Sequence, residues 1–514
     1  MARMLYSSGR AFKGASLVEN ALRAFFPSYG SADYDISQDR ETIALRARSL
    51  FQNHAFSRAL IKSFDVNIVG TGIKVRPALR MLDVLGLSQE DADKWCYTTR
   101  NMFEIWAKSL KCDAERCNDL YGLQDLALKT ELIGGEAFVL KKFFANREPF
   151  GMCLKVLEGD RVQNPFGYPD CDDCCGGIEV DENHTPVAYH VTKKIPFSID
   201  NYGNNVDTVR IPAFDSMDNP NVLHVFETDR TDQRRGISML APLIVDAKQL
   251  DRFKDARLMK ALVTSLLTAV IESADESSPS PLLGNIPDSE RVEQADSEGN
   301  IPGTDEAAAA EFGSGNMIEM PKGQKVHVIE SSKPDDGYTS FVDALHTEDA
   351  AACGTSSEIV MRKFGTSYNA VRAAILESKK TYDKCRAGFI SKFCRPVYEA
   401  WLTQAVMTGA VEAPGFLDDP VKRSFWSDCT WVADSAFLLD PLKETQAIKL
   451  QLDEQLTSRD AACAALFGTE YKENAIRLSD EKGFRGSISL PEPGTINKNE
   501  SFSVSTDNVE ESDL

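Results

Sequence analysis

The sequence lacks any long apolar run, which excludes a chain built around membrane-spanning helices. Its longest apolar stretch without a charge, residues 261–271, holds eleven residues, whereas a spanning helix needs about 20. The N-terminal segment has no apolar core followed by a cleavage site, so it does not predict a secretory signal. We therefore expect a chain that folds in the cytoplasm.

Residues typical of catalytic centres and disulfide frameworks are also scarce. Among 514 residues there are 12 cysteines and 6 histidines, and these cysteines are too sparse for a disulfide scaffold. No histidine lies in a nucleophile–base pattern. Both the Gly-x-Ser-x-Gly elbow and the phosphate-binding Gly-x-x-x-x-Gly-Lys-Ser/Thr loop are missing. We expect no catalytic residue, no cofactor and no metal, and hence a chain that is not an enzyme.

The chain also has fewer basic residues than acidic ones. The chain has 57 lysines and arginines against 78 aspartates and glutamates, which gives a formal net charge of −21. A protein that grips nucleic acid neutralises phosphates with basic side chains and is usually basic. This chain therefore either avoids nucleic acid or touches it without gripping. Its length exceeds what one hydrophobic core supports, so several domains are expected.

One segment departs from this picture. The loop Cys171–Cys175 holds three thiols and precedes His184 and His190. A Cys-x-x-Cys pair with two histidines supplies enough ligands for zinc. The histidines, however, flank a predicted turn rather than a helix, and a loop with incidental thiols explains the same residues. A cytosolic metalloprotein that uses this loop is kept as an alternative hypothesis.

Hydrophobic periodicity gives the first half of the chain an α+β character. Ser88 is the expected N-cap of one helix, and Gly134-Gly135 is expected to close another. The predicted helices cover residues 39–64, 88–110 and 121–132. The predicted strands cover residues 66–75, 137–143 and 152–157, and a hairpin joins 178–180 to 187–191.

The second half is predicted to be mainly helical, with a long interruption. An amphipathic helix over residues 238–267, capped by Ser238, leads into an acidic low-complexity stretch whose composition predicts disorder. Two short strands are expected between residues 317 and 330, and the chain then returns as a helix over 336–353. Further helices are predicted over residues 369–406 with a kink at Pro396, 441–456 and 458–466. The pattern indicates two struts with a protruding tip.

A loop with basic shoulders follows the returning helix. Arg362, Lys363 and Arg372 flank a run of small residues. Such a loop fits weak contact with a phosphate backbone. It fits a solvated connection between helices equally well, and the residues alone leave the choice open.

Several short segments stand together in the order and spacing of a known family. They are residues 134–138, 157–162, 177–181, 186–190, 224–226, 233–238, 367–374, 393–401 and 440–447. Through these segments the chain resembles the lambda-type family of phage portal proteins along nearly its whole length. The Cys171–Cys175 loop and the acidic insert depart from that pattern.

The resemblance implies an α+β, portal-type fold with an α+β wing, a two-helix stem, a small β clip and a mainly helical C-terminal wing and crown. The implied division is a flexible leader (1–35), an α+β wing (36–237), a first stem helix (238–268), a clip (269–335) with an acidic insert (272–316), a second stem helix (336–353), a channel loop (354–372), a long wing helix (373–410), a helical crown (411–490) and a disordered acidic tail (491–514).

The resemblance also implies a function. Copies of the chain, usually twelve, would form a ring at one capsid vertex of the virion after assembly in the host cytoplasm. Double-stranded DNA would pass through the ring during packaging and ejection. The implied partners are the terminase large subunit, the major capsid protein and scaffold, and the neck or head–tail connector proteins, with no membrane. A capsid scaffold or adaptor that never contacts DNA is the other alternative.

Charged residues in these parts give candidate sites. An acidic bore with a few basic contacts would let DNA slide rather than grip it. The candidates are Arg362, Lys363 and Arg372 as basic DNA contacts, Asp343, Glu348 and Asp349 as acidic channel lining, and Arg291, Lys322 and Lys325 as partner-docking residues of the clip.

Overall fold

The computed structural model describes residues 22, 24–25, 30–147, 149–193, 207–266, 270–271, 318–319, 338–365, 367–433, 441–469 and 471–487. The acidic insert (272–316) and the acidic tail (491–514), together with most of the N-terminal leader, lie outside these residues. In the part of the chain that is described, no helix is both long and apolar enough to cross a membrane.

The described chain combines helices and antiparallel sheets, as the predicted α+β class requires. The helices are α1 (Ala32–Asn53), α2 (Ala55–Ile68), α3 (Leu82–Leu85), α4 (Gln89–Ala107), α5 (Leu120–Gly134), α6 (Ile244–Leu266), α7 (Tyr338–Ala352), α8 (Ser357–Met361), α9 (Tyr368–Phe389), α10 (Arg395–Met407), α11 (Pro420–Trp426), α12 (Pro441–Asp453), α13 (Arg459–Phe467) and α14 (Tyr471–Ser487).

The strands form small sheets. They are β1 (Lys74–Pro77), β2 (Glu136–Phe143), β3 (Met152–Glu158), β4 (Cys174–Cys175), β5 (Ile178–Val180), β6 (Pro186–Thr192), β7 (Thr208–Pro212), β8 (Val222–Phe226), β9 (Val270–Ile271), β10 (Ile318–Glu319) and β11 (Cys429–Val432). Antiparallel sheets have the orders β3-β2-β8 and β4-β5-β6-β7, and the predicted hairpin is the β5–β6 pair. Strands β9 and β10 pair in parallel and bring the two ends of the intervening insert together.

The first helical stretch is two helices rather than one. His54 adopts extended backbone angles, and its ring nitrogen accepts a hydrogen bond from the backbone N–H of Ser57, so it closes α1 and caps α2. Helix α2 then continues to Ile68, and the strand predicted over residues 66–75 is wrong apart from its last two residues, which open β1. Among the apolar residues of that range, Ile68 is buried at the end of α2 and Val66 is exposed on the same helix, whereas Val69, Ile73 and Val75 are buried after the helix has ended.

The expected helix caps of the wing are confirmed. The Ser88 hydroxyl accepts from the N–H of Asp91 at the start of α4. Gly135 closes α5 in the left-handed region, with a φ of 93°. The large hydrophobic core lies where α2, α4, α5 and α10 meet the β3-β2-β8 sheet. There Trp106 is buried and donates its indole N–H to the carbonyl of Met152 at 3.0 Å.

The long wing helix is continuous but distorted. Helix α9 passes through a π-helical turn, Ile390–Cys394, into α10, which carries Pro396 in its first turn. Proline has no N–H to donate and its ring crowds the carbonyl four residues earlier, so a widened turn at this point relieves both problems. A π turn therefore lies just before Pro396, where the sequence predicted a kink.

The segment predicted as a helical crown is not wholly helical. Strand β11 pairs antiparallel with β1, and Trp426 and Phe416 are buried in the large hydrophobic core. Residues 411–433 thus pack with the first half of the chain. Helices α12, α13 and α14 follow them, and the ion pair between Lys472 and Asp93 at 2.9 Å links α14 to α4.

Candidate functional site

A buried carboxylate organises the junction between the β3-β2-β8 sheet and the segment that leads into α6. Glu136, the first residue of β2, is fully buried. Arg235 donates from Nε to both carboxylate oxygens at 2.9 Å and from Nη2 at 2.5 Å. Arg40 of α1 adds a bond at 3.3 Å, and the N–H of Gly236 adds one at 3.2 Å. We call Glu136, Arg40, Arg235 and His224 the buried hub.

His224 completes the hub from strand β8. Its Nε2 lies 3.0 Å from a Glu136 oxygen. Because an ionised carboxylate only accepts hydrogen bonds, this nitrogen must carry the hydrogen. The imidazole is stacked between the rings of Phe138 and Phe226, with both centroid distances 4.2 Å. Burial lowers the pKa of His224 despite the adjacent Glu136.

The two arginines of the hub keep the Glu136 carboxylate in its charged form. Burial alone would raise the pKa of Glu136, but Arg235, His224 and Arg40 together hold it well below its ordinary value. Arg235 also donates to the carbonyl oxygens of Gly159 and Val162, at 2.8 and 3.0 Å. The N–H groups of the Arg235 guanidinium therefore all have acceptors. The hub has a structural role and is not an open binding site.

Four of the motif segments that carry the resemblance meet at this hub. Residues 134–138 supply Glu136, 157–162 supply acceptor carbonyls, 224–226 supply the histidine and 233–238 supply Arg235. The glycines of these segments allow the close approach, since a Cβ at Gly236 would lie 2.0 Å from the carbonyl oxygen of Gly135. Sequence reasoning missed the hub, although Glu136, a charged residue among the small and apolar residues of 134–138, was a usable signal.

The segment that leads into α6, the first predicted stem helix, follows directly after the hub. Ser238 is buried, and its hydroxyl accepts from the N–H of Leu240 and donates to the carbonyl of Leu132 at 3.3 Å. A 3-10 turn, Ala241–Leu243, follows before α6 begins at Ile244. The Ser238 hydroxyl therefore accepts only from the residue before this turn and caps neither the turn nor the long helix, so the predicted cap is wrong and the predicted helix start is corrected by six residues, from 238 to 244.

The two predicted stem helices lie side by side. The Phe253 ring of α6 stacks on Tyr338 of α7 with centroids 5.7 Å apart, and it meets Phe341 edge-on at 5.4 Å. The Arg257 guanidinium lies over the Tyr338 ring at 4.0 Å. These aromatic contacts join residues separated by a long insert in sequence, as the two-strut interpretation requires.

Aromatic packing anchors the C-terminal half of α7 against α2. His346 stacks on Phe56 of α2 with centroids 4.2 Å apart, and Ala350 is completely buried. Burial lowers the pKa of His346 to about 4. Asp349 lies beside them, and burial together with Asp246 and Glu348 raises its pKa to about 6.

The three predicted acidic channel residues have different surroundings. Glu348 is exposed, and the Asp343 side chain is 44% exposed, so both are accessible. Asp349 is only 5% exposed. Its predicted place on an open channel surface is therefore corrected: it lies inside the junction because the helical spacing that puts Asp343 outward turns Asp349 toward the core.

The predicted basic loop is exposed and has a rigid base. Arg362 closes α8 in the left-handed conformation with a φ of 55°. Lys363 follows it and reaches Asp343 at 3.3 Å. Arg372 lies exposed on the first turns of α9, so all three predicted cations lie on one short segment. Phe364 between them is 55% exposed.

A hydroxyl network holds this loop to the wing. The Tyr382 hydroxyl of α9 lies 2.7 Å from that of Thr355 and 3.2 Å from that of Ser63 on α2. The N–H of Ser356 donates to the Ser378 hydroxyl at 3.2 Å. The base of the loop is thus fixed by buried polar bonds, while its tip carries the exposed cations.

The other predicted site residues do not add to this site. Arg291, Lys322 and Lys325 lie outside the described residues. In the cysteine loop, His190 binds Glu179 at 2.5 Å and His184 lies in the hairpin turn with a φ of 61°. Burial raises the pKa of Cys175 to about 12. Across the described ranges, no three side chains of metal-binding type converge.

Comparison with known proteins decides the family. The family model described as phage portal protein, lambda family, matches residues 19–386. The chain belongs to the lambda family of phage portal proteins. The resemblance seen in the motif segments is confirmed, and with it the role of a portal protein, a structural component of phage-like particles.

Individual relatives are distant but span most of the chain. Portal protein B of Escherichia phage lambda is 24% identical over 90% of this chain and 87% of its own length. The portal protein of Escherichia phage N15 is 23% identical over 96% of this chain and 93% of its own length. Among solved structures, a chain from the virion of a native gene transfer agent particle matches with 13% identity and a TM-score of 0.34, covering 79% of this chain and 96% of that one.

Proposed function

We propose that copies of this chain form a ring at one capsid vertex and that double-stranded DNA passes through the ring during packaging and ejection. The ring docks the terminase motor and later the neck proteins, and it works without catalysis. Membership of the portal family supports this proposal. So does the arrangement of α6 and α7, a two-helix stem locked to the wing by the buried hub.

The segment that faces the DNA in this proposal is the exposed loop between α8 and α9. The observation that carries the assignment is the exposure of Arg362, Lys363 and Arg372 on one short segment whose base is held by buried hydroxyl bonds. A rigid base keeps the cations at a constant distance from the channel axis. Three cations per chain give intermittent backbone contact, not the dense phosphate neutralisation of a tight DNA-binding protein.

Lys363 has a carboxylate partner within the same chain that competes with phosphate. Its ammonium pairs with Asp343 at 3.3 Å, and the two side chains are 63% and 44% exposed. An ion pair this exposed is worth about 0–1 kcal/mol, so a passing phosphate competes with it readily. After the phosphate moves on, Asp343 recaptures the lysine. Asp343 and Glu348 together keep the surroundings acidic, which favours sliding over gripping.

The remaining parts of the proposal follow the family's division of the chain. Helices α6 and α7 form the stem, residues 269–335 form the clip and Arg291, Lys322 and Lys325 contact the terminase or neck. In this proposal the crown consists of helices α12 to α14 and no longer includes residues 411–433, because those residues pack in the wing core.

Charge reversal tests the DNA contact. Lys363→Glu with Arg372→Glu should leave rings intact by electron microscopy but should lower the DNase-protected DNA per particle several-fold. Lys380→Glu is the matched control, since Lys380 is 75% exposed and lies on the same helix as Arg372. Unchanged packaging by the double variant in intact rings would remove the loop from the DNA path. Loss of packaging by the control as well would show a general charge effect.

A further inference from the structure

An unusual loop protrudes from the wing beside α1. Phe166 and Tyr168 are 79% and 64% exposed, and their rings meet edge-on at 6.0 Å. Phe166 has a φ of 55°, a left-handed conformation that is strained for a bulky side chain. A monomeric protein has little reason to hold a strained aromatic residue in water, so this conformation points to a contact surface.

The loop is rigid despite its exposure. The Asn164 side chain donates to the carbonyl of Tyr168 at 3.0 Å and to Asp170 at 2.8 Å, and the Asp170 carboxylate accepts from the N–H of Gly176 at 2.7 Å. Two further carboxylates, Asp172 and Asp173, are exposed at its end. We call Phe166, Tyr168, Asp172 and Asp173 the aromatic knob.

A groove of complementary character lies between α1 and α6. Its volume is about 420 Å³. The apolar part is formed by Leu50, Ile244 and Val245, of which Val245 is 61% exposed. The rim carries the three exposed cations Arg46, Lys248 and Arg252. An apolar floor with a basic rim fits an aromatic group that carries carboxylates beside it.

The knob and the groove lie on different sides of the same helix. The cavity under the knob is lined on α1 by Ser37, Arg40 and Glu41, together with Tyr168. The groove is lined on α1 by Arg46, Ser49 and Leu50. At about 100° per residue, these two sets project to roughly opposite sides of α1. The knob of one chain therefore cannot enter its own groove but can enter that of a neighbour.

We propose that the aromatic knob of each chain docks in the basic-rimmed groove of the adjacent copy and forms a chain-to-chain contact of the ring. Two different, complementary patches on opposite sides of a subunit give head-to-tail association, which closes into a ring when the rotation allows. Phe166 and Tyr168 serve as buried aromatic anchors, and Asp172 and Asp173 pair with the rim cations. This inference rests on the proposed ring function.

Removing the anchors tests the contact. Phe166→Asn keeps a residue that tolerates the left-handed region, and Tyr168→Ala removes the second ring. The double variant should raise the chain concentration needed for ring formation at least about tenfold, with unchanged thermal unfolding of the monomer. Tyr97→Ala is the matched control, since Tyr97 is 62% exposed on α4. Ring formation by the double variant at wild-type concentrations would overturn the proposal.

A charge swap and a cross-link address the partner directly. Asp172→Lys with Asp173→Lys should weaken assembly, and Lys248→Glu with Arg252→Glu in the same chain should restore it. In assembled rings, oxidation of Val245→Cys should yield a ladder of linked chains through Cys171, an exposed free cysteine, and Cys171→Ser should abolish the ladder. Failure of the rescue, or a ladder that persists without Cys171, would show that something other than the knob fills the groove. If the wild-type chain forms no rings, the proposed function fails first and this contact fails with it.

Discussion

Replacing the central carboxylate of the buried hub is the sharpest perturbation of the fold. Glu136→Gln keeps the size of the side chain but removes the negative charge between Arg235 and Arg40, whose side chains are 2% and 9% exposed. Removing one partner of a buried ion pair costs about 3–5 kcal/mol, because the remaining charge is left uncompensated. Here two guanidinium groups lose their counter-charge, although the glutamine oxygen still accepts part of their bonds.

That loss is large on the scale of folding stability, which is about 5–15 kcal/mol for a domain. For a wing of this size it corresponds to a fall in Tm of about 6–20 °C. Thermal and urea unfolding of the purified chain, followed by circular dichroism, measure the change. Glu377→Gln is the control, since Glu377 pairs with Lys380 and both side chains are about three-quarters exposed; it should shift stability by less than about 1 kcal/mol.

The pH dependence gives a second check on the same variant. The folded-state pKa of Glu136 lies below its ordinary value of 4.5. Its stabilisation is therefore fully present above pH 4.5 and declines only as the pH falls further. The difference between wild type and Glu136→Gln should be constant from pH 5 to 8. A variant within 1 kcal/mol of wild type at pH 7, or a difference that titrates near neutrality, would refute the hub as a buried charge lock.

Three further perturbations follow from the same structure. Asp349→Asn should stabilise the chain at pH 7.5 by about 1–3 kcal/mol and have no effect near pH 3.5. The reason is that a pKa raised from 3.8 to about 6 makes the charged carboxylate destabilising above that range. Urea unfolding at both pH values measures the change in stability, and equal effects at both pH values would contradict this prediction. His346→Phe keeps an aromatic ring on Phe56 and should reduce the loss of stability between pH 6.5 and 4. A histidine pKa lowered to about 4 means that, as the pH falls, the unfolded chain binds the proton before the folded chain does. An unchanged pH profile of unfolding would exclude His346 as the cause. Gly236→Ala should lower the yield of folded protein sharply, since its Cβ would overlap the Gly135 carbonyl, whereas Gly388→Ala meets nothing within 4 Å and should fold normally in a parallel solubility and melting comparison.

Local signals in the sequence predicted much of the fold. The caps at Ser88 and Gly135, the hairpin β5–β6 and the helix after Ser458 all depend on neighbouring residues, and the structure confirms them. The break at His54 was missed because the apolar periodicity continues through it, and only the ring that caps α2 reveals the new start.

Long-range contacts account for what the sequence did not reveal. The hub joins Arg40, Glu136, His224 and Arg235, which are far apart in the chain. Each of them alone looks like an ordinary charged or polar residue of a helix, strand or loop. The pairing of β1 with β11 and the burial of Asp349 likewise depend on tertiary packing, which overrides local pattern.

The charged loop was found from sequence because its cations are close neighbours. Arg362 and Lys363 follow the end of α8 and Arg372 lies near the start of α9, so the short segment that carries them is visible in the sequence. The partner of Lys363, by contrast, lies one helix earlier at Asp343. Its identity follows from the packing of α7 against α8 and not from spacing.

End-on electron microscopy of the purified full-length chain tests the central claim most directly. We expect closed rings with an axial hole wide enough for a DNA duplex, formed by the wild-type chain and by the Lys363→Glu, Arg372→Glu variant alike. A population that stays monomeric or dimeric at high concentration, or that assembles into particles without an axial hole, would contradict it.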